Sequence, residues 1–106
     1  MPRQISVTEL KQRLDDHAEL VLLDVREPEE LALARLPGAV HIPMGEVPNR
    51  LHELAHDKEI VVFCHHGIRS ASVVQFLVQH DFEQVVNLAG GIDAWSASVD
   101  SSVPRY

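Results

Sequence analysis

Two unbroken apolar runs, Leu20-Val21-Leu22-Leu23 and Ile60-Val61-Val62-Phe63, stand out along the chain. Continuous runs of this length mark strands covered on both faces. Val40-His41-Ile42 and Gln84-Val85-Val86-Asn87 predict two shorter strands. Between them the apolar period changes. Val7, Leu10 and Leu14 fall on one helical face, and so do Val73, Val74, Leu77 and Val78 in a segment opening near Ser70. Ser6-Val7-Thr8-Glu9 has the form of a capping box. Pro28 suits a first helical position and predicts a short helix to about Ala34, stopped by Pro37-Gly38. A further helix is predicted over Val47 to Ala55, and Gly90-Gly91 predicts a turn into a short helix around Trp95. Strands alternating with helices imply βα units, hence an α/β fold with a small parallel sheet of about five strands and helices on both faces. The polar stretch 96–106 reads as a tail lying over the surface.

Composition narrows the function classes. The 106 residues make one domain, 45% hydrophobic and 24% charged, without repeats or low-complexity tracts. Nine Lys+Arg against sixteen Asp+Glu give a net charge of -7. That balance argues against a nucleic-acid binder or a polybasic membrane anchor, both of which need clustered positive charge. No apolar run approaches a bilayer span, and Met1-Pro2-Arg3-Gln4 lacks the pattern of a secretory signal. A single cysteine excludes an intrachain disulfide and a multi-Cys zinc site, and points to a reducing, cytoplasmic setting.

In parallel sheets, ligands bind beyond the carboxyl ends of the strands. Cys64 falls there, directly after a buried strand and just before a helix. The loop Cys64-His65-His66-Gly67-Ile68-Arg69 is too short to fold away, so its amides are expected to curl into an anion-binding cup at the helix N-terminus. A thiol so placed has a depressed pKa and reacts as thiolate. Gly67 permits the sharp turn. Arg69 is expected to bind an anion at the rim of this cup. His65 and His66 either orient that anion or face water, and Ser70 is read as a helix cap. Asp24, Arg26 and Glu27, at the end of an adjacent strand, read as an ion-pair and capping cluster that braces the loop. A buried structural cysteine is the alternative to the nucleophile.

Five segments in order resemble the rhodanese-like sulfurtransferases across about 5–95. They are the opening around Ile5-Ser6-Val7, Asp24-Val25-Arg26-Glu27-Pro28, Pro37-Gly38-Ala39 with Ile42-Pro43, Cys64 to Ser70, and Asn87-Leu88 with Gly90-Gly91 and Trp95. Ala34-Arg35-Leu36 departs from the family's usual Gly-His-Ile, and Leu31 from a common aromatic. The resemblance implies ping-pong transfer of sulfane sulfur from a thiosulfate-like anion, through a Cys64 persulfide, to cyanide, a thiol or a protein acceptor. The end of the chain, Val99 to Tyr106, resembles rhodanese domains fused to ubiquitin-activating-like adenylyltransferases, which implies protein sulfur donors or sulfur-carrier partners.

Other chemistry finds less support. Cysteine phosphatases with a similar cradle place Arg six positions after Cys, where this chain has Ser70; here Arg69 closes a shorter ring. Without a second cysteine, an arsenate reductase that resolves through an internal disulfide is disfavoured. A non-turnover rhodanese-like interaction module is the competing class, and the intact cysteine counts against it. No metal is expected, because His52 and His56 lack a third ligand. Nor is a cofactor: Gly90-Gly91 is no dinucleotide fingerprint, and no P-loop or Gly-x-Ser-x-Gly elbow is present. Asp15-Asp16 and Glu29-Glu30 read as solvated helix faces or ends, and Trp95 as a core or rim anchor for the last helix.

Overall fold

The computed structural model describes residues 3–106. Five parallel strands form one sheet in the order β1-β5-β4-β2-β3: β1 Gln4–Ile5, β2 Leu20–Asp24, β3 Val40–His41, β4 Glu59–Phe63 and β5 Val85–Leu88. The helices are α1 Val7–Asp15, α2 Pro28–Leu31, α3 Ile68–Gln79 and α4 Gly91–Ser98. Central β4 runs beside β2 with Asp24 opposite Phe63, and beside β5 with Val62 opposite Asn87. Chain order reverses between β2 and β4, so the segments leaving their carboxyl ends part and open a crevice there.

Strand alternation divides the core in two. Leu23, Ile60, Val62 and Val85 pack with Val73, Val74 and Leu77 of α3 on one face. Leu22, Val61, Phe63 and Leu88 pack with Val7, Leu10, Ile92 and Trp95 of α1 and α4 on the other. Trp95 is buried, as an anchor should be.

Several expected boundaries shift. The helix expected over Val47 to Ala55 is replaced by 3-10 turns at Met44–Asn49 and Leu51–Glu53. Pro48 inside the first cannot supply an α-helical amide. Helix α2 ends at Leu31 rather than Ala34, and β5 runs one residue beyond Asn87. Ser6 does accept from the Glu9 amide at 3.0 Å, one half of the capping box. Helix α4 runs through Ser98, and residues beyond it fold back: Val103 is buried and Tyr106 packs on the second core. The surface-tail expectation for 96–106 is therefore corrected; Val103 and Tyr106 turn inward from among polar neighbours that show no period. No helix among the described residues is long and apolar enough to cross a membrane.

Candidate active site

Cys64 continues the β4 alternation on the α3 face, behind Ile60 and Val62. Its side chain therefore lies under the N-terminus of α3, with the residue 1% exposed. Burial alone is what an inert structural cysteine would show. The donors around the sulfur differ: the Gly67 amide reaches Sγ at 3.1 Å, the Ser70 amide at 3.4 Å and Ser70 Oγ at 3.3 Å. Burial pushes the thiol up, but Ser70 through hydroxyl and amide, with the Gly67 and His66 amides, outweighs it and brings the pKa below its ordinary value.

Gly67, at φ 101°, is the N-cap of α3, so the helix opens at Ile68, two residues before the expected Ser70. Ser70 is consequently not a cap. Fully buried, it donates from Oγ to Asn87 Oδ1 at 2.5 Å as well as facing the sulfur. Asn87 Nδ2 donates to Gly67 O at 3.0 Å, tying the loop to β5. From below, the first amides of α4 take the loop's carbonyls: Ile92 N donates to Cys64 O at 2.9 Å and Asp93 N to His65 O at 3.1 Å. A Cβ at Gly91 would lie 2.4 Å from Cys64 O and 2.5 Å from His65 O, so only glycine lets the helix come this close. These contacts commit the carbonyls below the loop and leave its amides for the sulfur.

Asn87 and Gly91 were not singled out by sequence for these roles. A polar side chain inside an otherwise apolar buried strand was the available signal for Asn87, since such a group must find partners.

The loop's outer edge is a charged mesh. Arg69 is paired with Glu30 through both terminal nitrogens, at 2.8 and 2.9 Å. The Arg69 hydrogen bonds outweigh the effect of burial and hold the Glu30 carboxyl down at about 2. One expectation changes as a result: Glu30 is a partner in the site rather than a solvated helix face, and its carboxylate holds the Arg69 guanidinium at the rim. The Glu27 amide donates to Glu30 Oε2 at 2.9 Å. Fully buried Arg26 holds Asp24 through Nε and Nη2 and donates to Ala34 O at 2.8 Å, while His41 Nε2 bonds Arg26 O at 2.6 Å. Asp24 and Arg26 thus form a buried ion pair, and Glu27 is the N-cap of α2. Ile68 points into solvent, 80% exposed.

His65 is stacked between His66 and Tyr106, with centroids 3.9 and 3.8 Å away. Its Nε2 is buried without a hydrogen-bond partner, whereas His66 is largely exposed. Among the described residues, His65, His66 and Asp93 bring ligand atoms within 4.8 Å of one another. Both Asp93 oxygens are taken by Arg105, at 3.0 and 3.1 Å, and the two imidazoles are stacked on each other, inclined by 28°. That arrangement does not fit a tetrahedral ion. His52 and His56 do not share a helical face, and His56 stacks on Phe82. A cavity of about 310 Å³, lined by Asp24, Arg35, Pro37 and His41 among others, opens beside β2 and β3 and does not include Cys64.

A parallel α/β sheet with a thiol cradled by amides at the end of its central strand defines a class of anion-cup cysteine proteins. Within that class the chain belongs to the rhodanese-like domain family, whose model matches residues 6–98. It is 43% identical over 93 residues to YtwF of Bacillus subtilis, spanning 88% of this chain and 89% of that one. It is 38% identical over 96 residues to a sulfurtransferase of Allochromatium vinosum, spanning 91% and 90%. The crystal structure of a rhodanese-like domain protein from Staphylococcus aureus superposes with a TM-score of 0.85 at 32% identity, covering 98% of each chain.

Proposed function

We propose that this domain moves sulfane sulfur through a persulfide on Cys64. The thiolate attacks the outer sulfur of a donor such as thiosulfate. A Cys64 S–S bond forms, the donor's S–S bond breaks, and sulfite leaves with the electron pair. A thiophilic acceptor (cyanide, a small thiol or a protein) then attacks the outer persulfide sulfur and returns Cys64 as thiolate. The steps balance without a cofactor or external oxidant.

One observation carries this reading: three donors from Gly67 and Ser70 converge on Sγ, within 3.1 to 3.4 Å. They stabilise the attacking thiolate, and inward amides of this kind suit the anionic charge that develops as the donor is cleaved. In this scheme Cys64 is the nucleophile, and His65, His66, Gly67, Ile68 and Arg69 shape the donor site. Asp24, Arg26, Glu27 and Ser70 support it. The named sulfurtransferase among the relatives supports the activity class. With one cysteine, the persulfide has no internal thiol to collapse onto and must pass to another molecule. The setting we assign is cytoplasmic, where a lone reduced thiol persists.

Incubation with thiosulfate followed by intact-mass measurement tests the reading. The wild type is expected to gain about 32 Da, one sulfur atom, and Cys64→Ser none. An equal gain on Cys64→Ser overturns the nucleophile. No gain on the wild type, with thiosulfate or a low-molecular-weight persulfide, favours the non-turnover binding module.

A further inference from the structure

We infer that Tyr106 is a positioning residue for the sulfur-transfer loop, holding both ends of it in the shape that receives the donor. The inference rests on the reading of Cys64 as sulfur acceptor.

The segment after α4 is built to deliver this side chain. Asp100 Oδ1 accepts from Ser102 N at 3.0 Å and from Ser102 Oγ at 2.5 Å, and Val103 N returns to Asp100 O at 3.1 Å. This turn sends Val103 into the core beside Trp95 and Phe63. Arg105 then clasps Asp93, on the same first turn of α4 whose amides hold the Cys64 and His65 carbonyls. These two anchors place Tyr106 against the site.

Tyr106 has two handles. Its ring lies 3.8 Å from that of His65 and is inclined to it by only 6°, so it covers the residue that follows Cys64. Its hydroxyl accepts from Arg26 Nη1 at 2.9 Å and donates to Glu30 Oε1 at 3.1 Å. Glu30 in turn holds Arg69 at the far end of the loop. One side chain therefore grips the loop's beginning by stacking and its end through a carboxylate. The hydroxyl handle governs where the Arg69 charge sits, and with it the binding of an anionic donor. The ring handle governs the tilt of the His65 peptide, and with it the amides aimed at Sγ.

Substitution separates the two handles. Tyr106→Phe keeps the ring and loses the hydroxyl with both of its hydrogen bonds to charged groups, so the KM for thiosulfate should rise about tenfold, the low end of what one such bond is worth. Its kcat and thiolate pKa should not change. Tyr106→Ala loses both handles and should also raise the thiolate pKa. Equal losses of kcat and melting temperature in both variants, with KM unmoved, would indicate a packing role and overturn the inference. So would two variants that match the wild type.

A second measurement is independent of sulfur transfer. The rate ratio for alkylation of Cys64 by anionic iodoacetate and neutral iodoacetamide reports charge at the rim. It should fall severalfold in Tyr106→Phe. If the wild type takes up no sulfur from any donor, the activity reading has failed by itself; an unchanged ratio in Tyr106→Phe then overturns the positioning role as well.

Discussion

Ser70→Ala isolates the side-chain donor at the sulfur. The substitution removes the hydroxyl 3.3 Å from Sγ and leaves the Gly67 and Ser70 amides in place. A hydrogen bond to a charged group is worth roughly 1.5–3 kcal/mol. Here the single hydroxyl proton is shared with Asn87 Oδ1, at 2.5 Å the closer acceptor, so the low end applies. About 1.4 kcal/mol corresponds to a rise of about one pKa unit. The direction follows from the contacts: removing a donor that favours the charged form leaves the thiolate less stable. Below both pKa values the variant then carries about tenfold less thiolate, each thiolate being about threefold more nucleophilic because reactivity climbs with basicity. Exchange with a neutral aromatic disulfide, followed by absorbance across pH, should show Ser70→Ala about threefold slower in acid and about threefold faster once both thiols are ionised. The two pH–rate curves should cross. Parallel curves, or a variant slower at every pH, would refute the assignment of Ser70 as a donor to the sulfur.

Other substitutions probe the surrounding support. Gly91→Ala places a Cβ 2.4 Å from a backbone oxygen at positive φ, so denaturant unfolding should show a loss of at least about 2 kcal/mol, with persulfide formation lost. Arg26→Leu leaves the buried Asp24 carboxylate without its partner and should cost roughly 3–5 kcal/mol in the same assay. Glu30 is held at about 2 against an ordinary 4.5, so its pair with Arg69 stabilises the fold above pH 4.5 and is lost as pH falls toward 2. Glu30→Gln should therefore lower stability by about 2 kcal/mol at pH 7 and flatten that part of the acid-unfolding profile. A Glu30→Gln profile matching the wild type between those pH values would refute the pairing.

The layered sheet could be read from sequence because the strands are nearly uniform apolar runs and the helices keep one apolar face. Cys64 was legible for a related reason: a lone thiol at the junction of buried strand and helix has few alternatives. The support around it was harder to see. Asn87 lies 23 residues after Cys64, and Gly91 is further along still; nothing local links either to the loop. Glu30 sits in an acidic run whose composition suggests solvent, and only the crevice between β2 and β4 brings it to Arg69. The Arg69–Glu30 pair was hidden because a sequence shows charges without their partners. Pro48 broke the period expected for Val47 to Ala55, as a proline within a helical pattern should have signalled. The last residues were misjudged because Val103 and Tyr106 are separated by polar neighbours and show no period.

The underside of the sulfur cradle is supplied by β5 and α4, which follow the cysteine in chain order. A nascent chain that ends within α3 holds the cysteine but neither Asn87 nor the amides of Ile92 and Asp93. Its thiol should titrate and react like that of an unstructured peptide. Nucleophilicity is thus expected to switch on only when the segment after α3 docks, which would spare a half-made domain from capturing stray electrophiles.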